Sequence, residues 1–240
     1  MTLGPWKTIR GYLNLCRISN LPSVWTNVLC AAILAAGRFS WGAYLLPALA
    51  LSCFYLAGMC LNDICDAAHD RIHRPTRPIP AGEVSYPGAI FLTVVLFVAG
   101  FALLLAAPCR QGLYAAVLLL AAIVWYDVQH KRNPLSVLLM AACRLLVFVV
   151  TALALTAGVP ATVWIAGLVQ FAYVVCISVV ARYENSRSRP FNIPVIPLML
   201  AGISFLDGIL LAMFAQPSWL MAGFCGGVLL LAGQRFARGD

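Results

Sequence analysis

Long apolar stretches separated by short polar segments run through almost the whole chain. They lack the strict apolar–polar alternation of a membrane-spanning strand, and the longest reach the roughly 20 residues with which a helix crosses a bilayer. The pattern therefore predicts an all-α fold, a polytopic membrane bundle of about eight transmembrane helices. The predicted spans cover residues 19–36, 44–61, 88–107, 112–126, 134–157, 161–181, 193–215 and 217–234.

The composition indicates that lipid is the solvent for most of the chain. Hydrophobic residues make up 62% of it, charged residues only 10%, and the mean hydropathy is +0.92. A soluble globular domain has about 25% charged residues, so these values exclude that class. The net charge of +8 is then typical of basic loops beside a bilayer and does not indicate nucleic-acid binding.

Lysine and arginine residues fall almost entirely on one side of the predicted bundle. The positive-inside rule assigns that side to the cytoplasm. We therefore predict a multi-pass protein of the cell inner membrane, with both termini and the charged loops cytoplasmic. The residues on that side are Lys7, Arg10, Arg17, Arg71, Arg74, Arg77, Lys131, Arg132, Arg182, Arg187, Arg189, Arg235 and Arg238.

A carboxylate cluster follows the second predicted span, in the segment LNDICDAAHDRIHRPTRPIPAGEVS, residues 61–85. Asp63, Asp66 and Asp70 are spaced i, i+3 and i+7, which places them on one helical face. Three carboxylates so close together repel one another unless a cation holds them, and Mg²⁺ suits such oxygen ligands together with substrate phosphates. The alternative is a solvated helix end whose aspartates pair with the neighbouring arginines.

The same segment resembles a known family. Its pattern NDxxDxxxD followed by RPxRPIPxG, residues 62–82, is similar to the first signature of the UbiA superfamily of intramembrane prenyltransferases. Arg17-Ile18-Ser19-Asn20 resembles that family's R-x-x-N entry to the first helix. Tyr126, with His130, Lys131 and Arg132 after it, resembles the tyrosine-to-lysine motif. The resemblance implies one UbiA-like domain over residues 1–240, with pseudo-repeat halves of about 1–130 and 131–240.

The second family signature, normally another aspartate set at the end of the sixth helix, is not matched. That place reads ISVVARYENSRSRP, in which Glu184 is the only acidic residue and Arg182 stands where a metal ligand is expected. The lysine also comes five residues after Tyr126 instead of four, and the family usually has nine spans. These departures resemble a divergent subgroup such as the EboC-like proteins.

Arg144 lies about ten residues into the fifth predicted span. An arginine at that depth is costly, so it indicates a function or a partner. Two interpretations remain open: contact with a diphosphate, or an ion pair with Asp207.

The resemblance implies a Mg²⁺-dependent membrane prenyltransferase that transfers an isoprenyl group from a prenyl diphosphate to a lipophilic or aromatic acceptor. Loss of the second signature leaves an alternative, a degenerate relative that binds or transports an isoprenoid or another hydrophobic metabolite. Asp63, Asp66 and Asp70 are the expected catalytic residues and, with Glu184, the metal ligands. The expected substrate-binding residues are Asn62, Arg74, Arg77, Tyr126, Lys131, Arg132, Arg144 and Arg182.

Overall fold

The structure is a computed structural model that describes residues 5–129, 135–186 and 193–235, and all regular structure in these ranges is helical. Two short 3₁₀ helices, Ile18–Asn20 and Pro217–Trp219, precede α2 and α9. The α-helices are α1 (Pro5–Leu15), α2 (Leu21–Ala36), α3 (Trp41–His73), α4 (Tyr86–Leu105), α5 (Gln111–Gln129), α6 (Ser136–Thr156), α7 (Ala161–Ser186), α8 (Val195–Phe214) and α9 (Leu220–Gln234).

The prediction of eight membrane spans is confirmed for the described part of the chain. Eight helical segments, α2 to α9, are long and apolar enough to cross a bilayer. The largest difference from the predicted bounds is at α3, which continues to His73 although its apolar stretch ends near residue 61. The carboxylate cluster therefore lies on a regular helix that prolongs a membrane span.

The centre of the bundle is α2, which packs against α3, α6, α7, α8 and α9. Two thirds of its span, 67%, is buried, whereas the corresponding values for the other spans are between 17% and 50%. A glycine of the neighbouring helix allows this close approach: Thr26 Cγ2 would lie only 2.5 Å from a Cβ added at Gly226 of α9. Because only the 3₁₀ helix Ile18–Asn20 separates Arg17 from α2, the centre of the bundle also positions that residue.

The outer helices expose apolar side chains, as expected for surfaces that face lipid. On α4, Phe91, Val94 and Val98 are each more than half exposed. In water such a surface would drive aggregation, but lipid tails are as apolar as these side chains. The exposed band supports a multi-pass membrane protein. The orientation of the termini and the division into two halves stay predictions.

Candidate active site

The three aspartates of the segment after the second span come together at the end of α3. Asp63, Asp66 and Asp70 are 5%, 8% and 2% exposed, although they lie in the polar extension of the helix. Burial of three carboxylates is unfavourable unless positive charge or hydrogen-bond donors compensate for the lost water. Positive charge at this position comes from two arginines outside α3.

Arg77 lies in the loop after α3, and one nitrogen of its side chain approaches all three carboxylates. Its Nη1 lies 3.0 Å from Asp63 Oδ1, 2.8 Å from Asp70 Oδ2 and 4.0 Å from Asp66 Oδ2. Arg77 donates hydrogen bonds to Asp63 and Asp70, and its side chain is 15% exposed. We call these four residues the Asp–Arg77 cluster.

The backbone of the loop holds Arg77 in place. Pro78 is buried, and Ile79 and Val84 pack in an apolar cluster with Leu15 and Cys60. The Arg77 amide donates to the Arg74 carbonyl, and the amide of Ala81 donates to the Arg77 carbonyl. The RPIPxG sequence therefore builds a compact turn whose apolar residues anchor it and whose arginine points back at α3.

Arg17 is the second cation at the cluster. Its Nη2 lies 3.5 Å from Asp63 Oδ1. The residue has φ 45° and ψ 48°, the left-handed region that non-glycine residues rarely adopt, and it precedes the first 3₁₀ helix. Arg17 was not among the predicted site residues, although its resemblance to the R-x-x-N entry was a signal that could have placed it there.

A partly buried hydrogen bond joins α3, next to the Asp–Arg77 cluster, to α5. Asn62 Nδ2 donates to Asp127 Oδ1 over 3.0 Å, and Asp127 is only 4% exposed. Tyr126, the preceding residue, is half-buried on the same helix end. Sequence reasoning selected Asn62 and Tyr126 but missed Asp127, because the pairing joins residues far apart in the sequence.

Arg144 makes polar contacts deeper in the bundle. Its Nη1 donates to Asn27 Oδ1 over 2.8 Å and its Nη2 to Ser23 Oγ over 2.9 Å, and both acceptors belong to α2. Asn27 Nδ2 in turn donates to Asp207 Oδ2 over 2.7 Å. The structure thus connects Arg144 to Asp207 through an amide, which is an indirect form of the predicted ion pair.

Two further hydrogen bonds complete this interior network. Gln170 Nε2 donates to Asp207 Oδ1 over 2.8 Å and also to the carbonyl of Ile203. Asn27, Gln170 and Asp207 are all at most 1% exposed. We call Asn27, Arg144, Gln170 and Asp207 the interior polar network.

The remaining predicted site residues lie in the loop after α3, near the end of α7 or outside the described residues. Arg74 is exposed in the loop after α3. Arg182 is exposed and Glu184 half-buried near the end of α7, which stays helical through both positions. Two residues apart on a helix, they point about 200° away from each other. Lys131 and Arg132 lie outside the described residues.

The sequence pattern of the UbiA prenyltransferase family matches residues 23–238, nearly the whole chain. The chain belongs to the UbiA prenyltransferase family. This confirms the family resemblance, while membership of an EboC-like subgroup stays a prediction.

Comparisons with solved structures support the fold of this UbiA family protein. A digeranylgeranylglyceryl phosphate synthase superposes with a TM-score of 0.65 at 19% identity, covering 95% of this chain and 87% of that one. A UbiA homologue from Archaeoglobus fulgidus bound to GPP and Mg²⁺ gives a TM-score of 0.61 at 17% identity, covering 92% and 85%.

Sequence relatives match only part of the UbiA family protein. The digeranylgeranylglyceryl phosphate synthase of Haloquadratum walsbyi is 35% identical over 122 residues, 50% of this chain and 43% of that protein. The synthase of the same name from Methanoregula boonei is 34% identical over 127 residues, 52% and 44%. The match therefore spans less than half the length of these curated relatives.

The Asp–Arg77 cluster fits Mg²⁺ in donor chemistry and charge. Three carboxylates converge on one point that already holds positive charge, and they face two guanidiniums, those of Arg17 and Arg77. Within the described residues, no group of three or more His, Cys, Asp or Glu side chains is arranged to hold a metal ion. Mg²⁺ commonly keeps several waters and takes substrate phosphates as ligands, so one or two of these aspartates suffice.

Proposed function

We propose that this UbiA family protein is a Mg²⁺-dependent membrane prenyltransferase that transfers an isoprenyl group from a prenyl diphosphate to a hydrophobic acceptor. The observation that supports the proposal best is the convergence of Asp63, Asp66 and Asp70 on a single cationic point at the end of a membrane helix. Such a site suits a charged head group whose apolar tail lies among the spans.

The proposed reaction begins with the diphosphate at the Asp–Arg77 cluster. Bound Mg²⁺ would supply charge that stabilises the diphosphate as a leaving group. One or two of Asp63, Asp66 and Asp70 would hold the metal together with phosphate oxygens and water. Arg17 and Arg77 would donate hydrogen bonds to phosphate oxygens. The bond from the allylic carbon to oxygen breaks with both electrons leaving on the diphosphate. A nucleophilic atom of the acceptor then bonds to that carbon and releases a proton.

The acceptor is proposed from the relatives' name. Because the relatives are named digeranylgeranylglyceryl phosphate synthases, a prenylated glyceryl phosphate is the first acceptor to test. We further propose that the head group enters from the cytoplasmic face, where the basic loops are expected. Glu184, Arg74, Lys131, Arg132, Arg144 and Arg182 stay predicted contributors to metal or substrate binding.

One observation favours the alternative of a binding or transport protein. The end of α7 carries Glu184 and an exposed Arg182 in place of a second aspartate set, so a second metal has fewer ligands here. A protein with one incomplete site could bind an isoprenoid diphosphate without cleaving it.

The decisive experiment measures diphosphate release. Purified protein in detergent is incubated with labelled geranyl and geranylgeranyl diphosphate, Mg²⁺ and a panel of acceptors that includes prenylated glyceryl phosphates. Release that requires an acceptor and is lost in Asp66→Asn, but retained in Arg71→Gln, supports a transferase. Tight Mg²⁺-dependent binding with no release from any acceptor supports the binding protein, and neither binding nor release contradicts both.

A further inference from the structure

We propose that Arg77 is a built-in counter-ion of the three aspartates, which Mg²⁺ and the diphosphate displace together. Under this proposal Arg77 makes the site selective for a metal that arrives with a diphosphate over free Mg²⁺. The inference rests on the proposed function, because it assumes that a diphosphate and Mg²⁺ bind at this cluster.

The position of Arg77 is specific and is not a general effect of basic charge near α3. Its Nη1 is within 3.0 Å of two buried carboxylate oxygens, and the side chain is 15% exposed. Arg71 and Arg74 belong to the same basic segment, but both are exposed to solvent. The Arg77 guanidinium lies between Asp63 and Asp70 and therefore compensates the negative charges of both carboxylates, as a bound metal ion would.

The guanidinium can leave this position without unfolding the loop. The backbone of residue 77 is fixed by its hydrogen bonds to Arg74 and Ala81, and the next residues are anchored in the apolar cluster. The hydrogen bonds of the long side chain to α3, within the described residues, are both made by one terminal nitrogen, Nη1. Rotation about side-chain bonds therefore suffices to move the charge away from the aspartates and towards the loop side of the cluster.

Free Mg²⁺ gains little at such a site. To reach Asp63 and Asp70 it must break two charge-assisted hydrogen bonds. The Arg77 guanidinium then keeps only the weak contact with Asp66, at 4.0 Å, among the carboxylates of the cluster. When a diphosphate accompanies the metal, the displaced guanidinium finds phosphate oxygens, which its planar fork binds in a bidentate manner. The number of ionic contacts is then conserved in the exchange.

Because Arg77 exchanges carboxylate partners for phosphate partners, the binding of Mg²⁺ and the binding of the diphosphate are cooperative. Because the diphosphate removes the penalty that Arg77 imposes on the metal, it must raise the affinity for Mg²⁺, and Mg²⁺ must raise the affinity for the diphosphate by the same factor. Removal of the Arg77 charge should therefore have opposite effects on the two measurements. The site should bind free Mg²⁺ more tightly and respond less to a diphosphate.

The test is isothermal titration calorimetry on the full chain in detergent, with Mg²⁺ alone and with Mg²⁺ plus inorganic pyrophosphate. Arg77→Gln keeps much of the side-chain length and removes the charge, and Arg71→Gln removes a nearby exposed charge as the matched control. We expect Arg77→Gln to bind Mg²⁺ alone at least about tenfold more tightly than the wild type, and pyrophosphate to enhance that binding at least about tenfold less. Arg71→Gln should match the wild type.

Each outcome has a distinct meaning. If the wild type binds Mg²⁺ with pyrophosphate but Arg77→Gln gains no affinity for Mg²⁺ alone, the counter-ion role is wrong and the proposed function stands. If the wild type does not bind Mg²⁺ even with pyrophosphate or geranyl diphosphate, the proposed function fails. Should Arg77→Gln not fold, Arg77→Lys replaces it: a point charge spans two carboxylates less well, so about a threefold gain is expected, and no gain contradicts the proposal.

Discussion

At the scale of single residues, Arg17 combines a strained backbone conformation with a side-chain contact to the proposed site. Its left-handed conformation costs a non-glycine residue about 1–2 kcal/mol. Two hydrogen bonds maintain it: the Arg17 amide donates to the Asn14 carbonyl, and the Asn20 amide donates to the Arg17 carbonyl. The turn places the guanidinium 3.5 Å from Asp63, so the strain and the contact arise at the same residue.

Substitution of Arg17 should separate backbone strain from charge. Arg17→Gly removes both the charge and the steric penalty, whereas Arg17→Ala removes only the charge. We expect the glycine variant to be more stable than the alanine variant by about 1 kcal/mol, while both lose pyrophosphate affinity equally. Denaturant unfolding in detergent and calorimetry with pyrophosphate measure the two effects. Equal stability of the variants would show that the left-handed turn is not strained.

The residues of the proposed site differ in how far the sequence could predict them. The shared face of Asp63, Asp66 and Asp70 follows from local periodicity, and the structure confirms that all three converge. The contact of Arg17 with Asp63 and that of Asn62 with Asp127 depend on how distant helices pack, which no local pattern encodes. For Arg144 the sequence left two interpretations open, and the bridging amide of Asn27 fitted neither one directly.

At the scale of helices, the apolar pattern predicted the existence and the number of the membrane spans better than the lengths of the helices. The spans were predictable because lipid requires long apolar helices. The polar end of α3 carries no such signal, since beyond residue 61 the helix is held by the Arg77 contacts and the packing of Ala67 instead of by lipid. The proposed catalytic residues lie in this extension, so the predicted span ended before the part of α3 that matters most for function.

The interior polar network joins four helices, α2, α6, α7 and α8, through buried hydrogen bonds. Asp207→Ala should remove the acceptor of the Asn27 amide and one of the two acceptors of the Gln170 amide. It should also leave Arg144 without a compensating negative charge. Loss of one partner of a buried charge network costs about 3–5 kcal/mol. We expect that decrease in the free energy of unfolding, measured by denaturant titration in detergent.

Two further variants test whether charge compensation causes the loss. The double variant Arg144→Leu/Asp207→Leu removes both charges and should recover much of the stability, since apolar replacements of buried pairs are often neutral. Thr151→Ala on α6 is the control, because its buried hydroxyl donates to the Val147 carbonyl of its own helix and, within the described residues, to no member of the interior polar network. A double variant less stable than Asp207→Ala would contradict the compensation model.

At the scale of the whole molecule, we predict that the eight candidate spans of the described residues place successive connections on alternate sides of the membrane. The segments before α2, after α3, after α5, after α7 and after α9 then share one side with the Asp–Arg77 cluster. This is the side that collects most of the lysine and arginine residues, whereas Arg38 and Arg110 lie on the other. An even number of spans predicts that the segments before α2 and after α9 lie on the same side.

The topology prediction follows from this charge asymmetry. Basic residues near helix ends resist translocation, so the loop of Arg71, Arg74 and Arg77 should stay in the cytoplasm together with the proposed head-group site. Alkaline phosphatase, which is active only outside the cytoplasm, is inserted into the full chain after residue 75 or after residue 158. A cytoplasm-active reporter at the same positions serves as the matched control. We expect phosphatase activity at residue 158 and none at residue 75, with the reverse for the control reporter. Phosphatase activity at residue 75 would show that the bundle has the opposite orientation in the membrane. A diphosphate made in the cytoplasm could then not reach the Asp–Arg77 cluster directly.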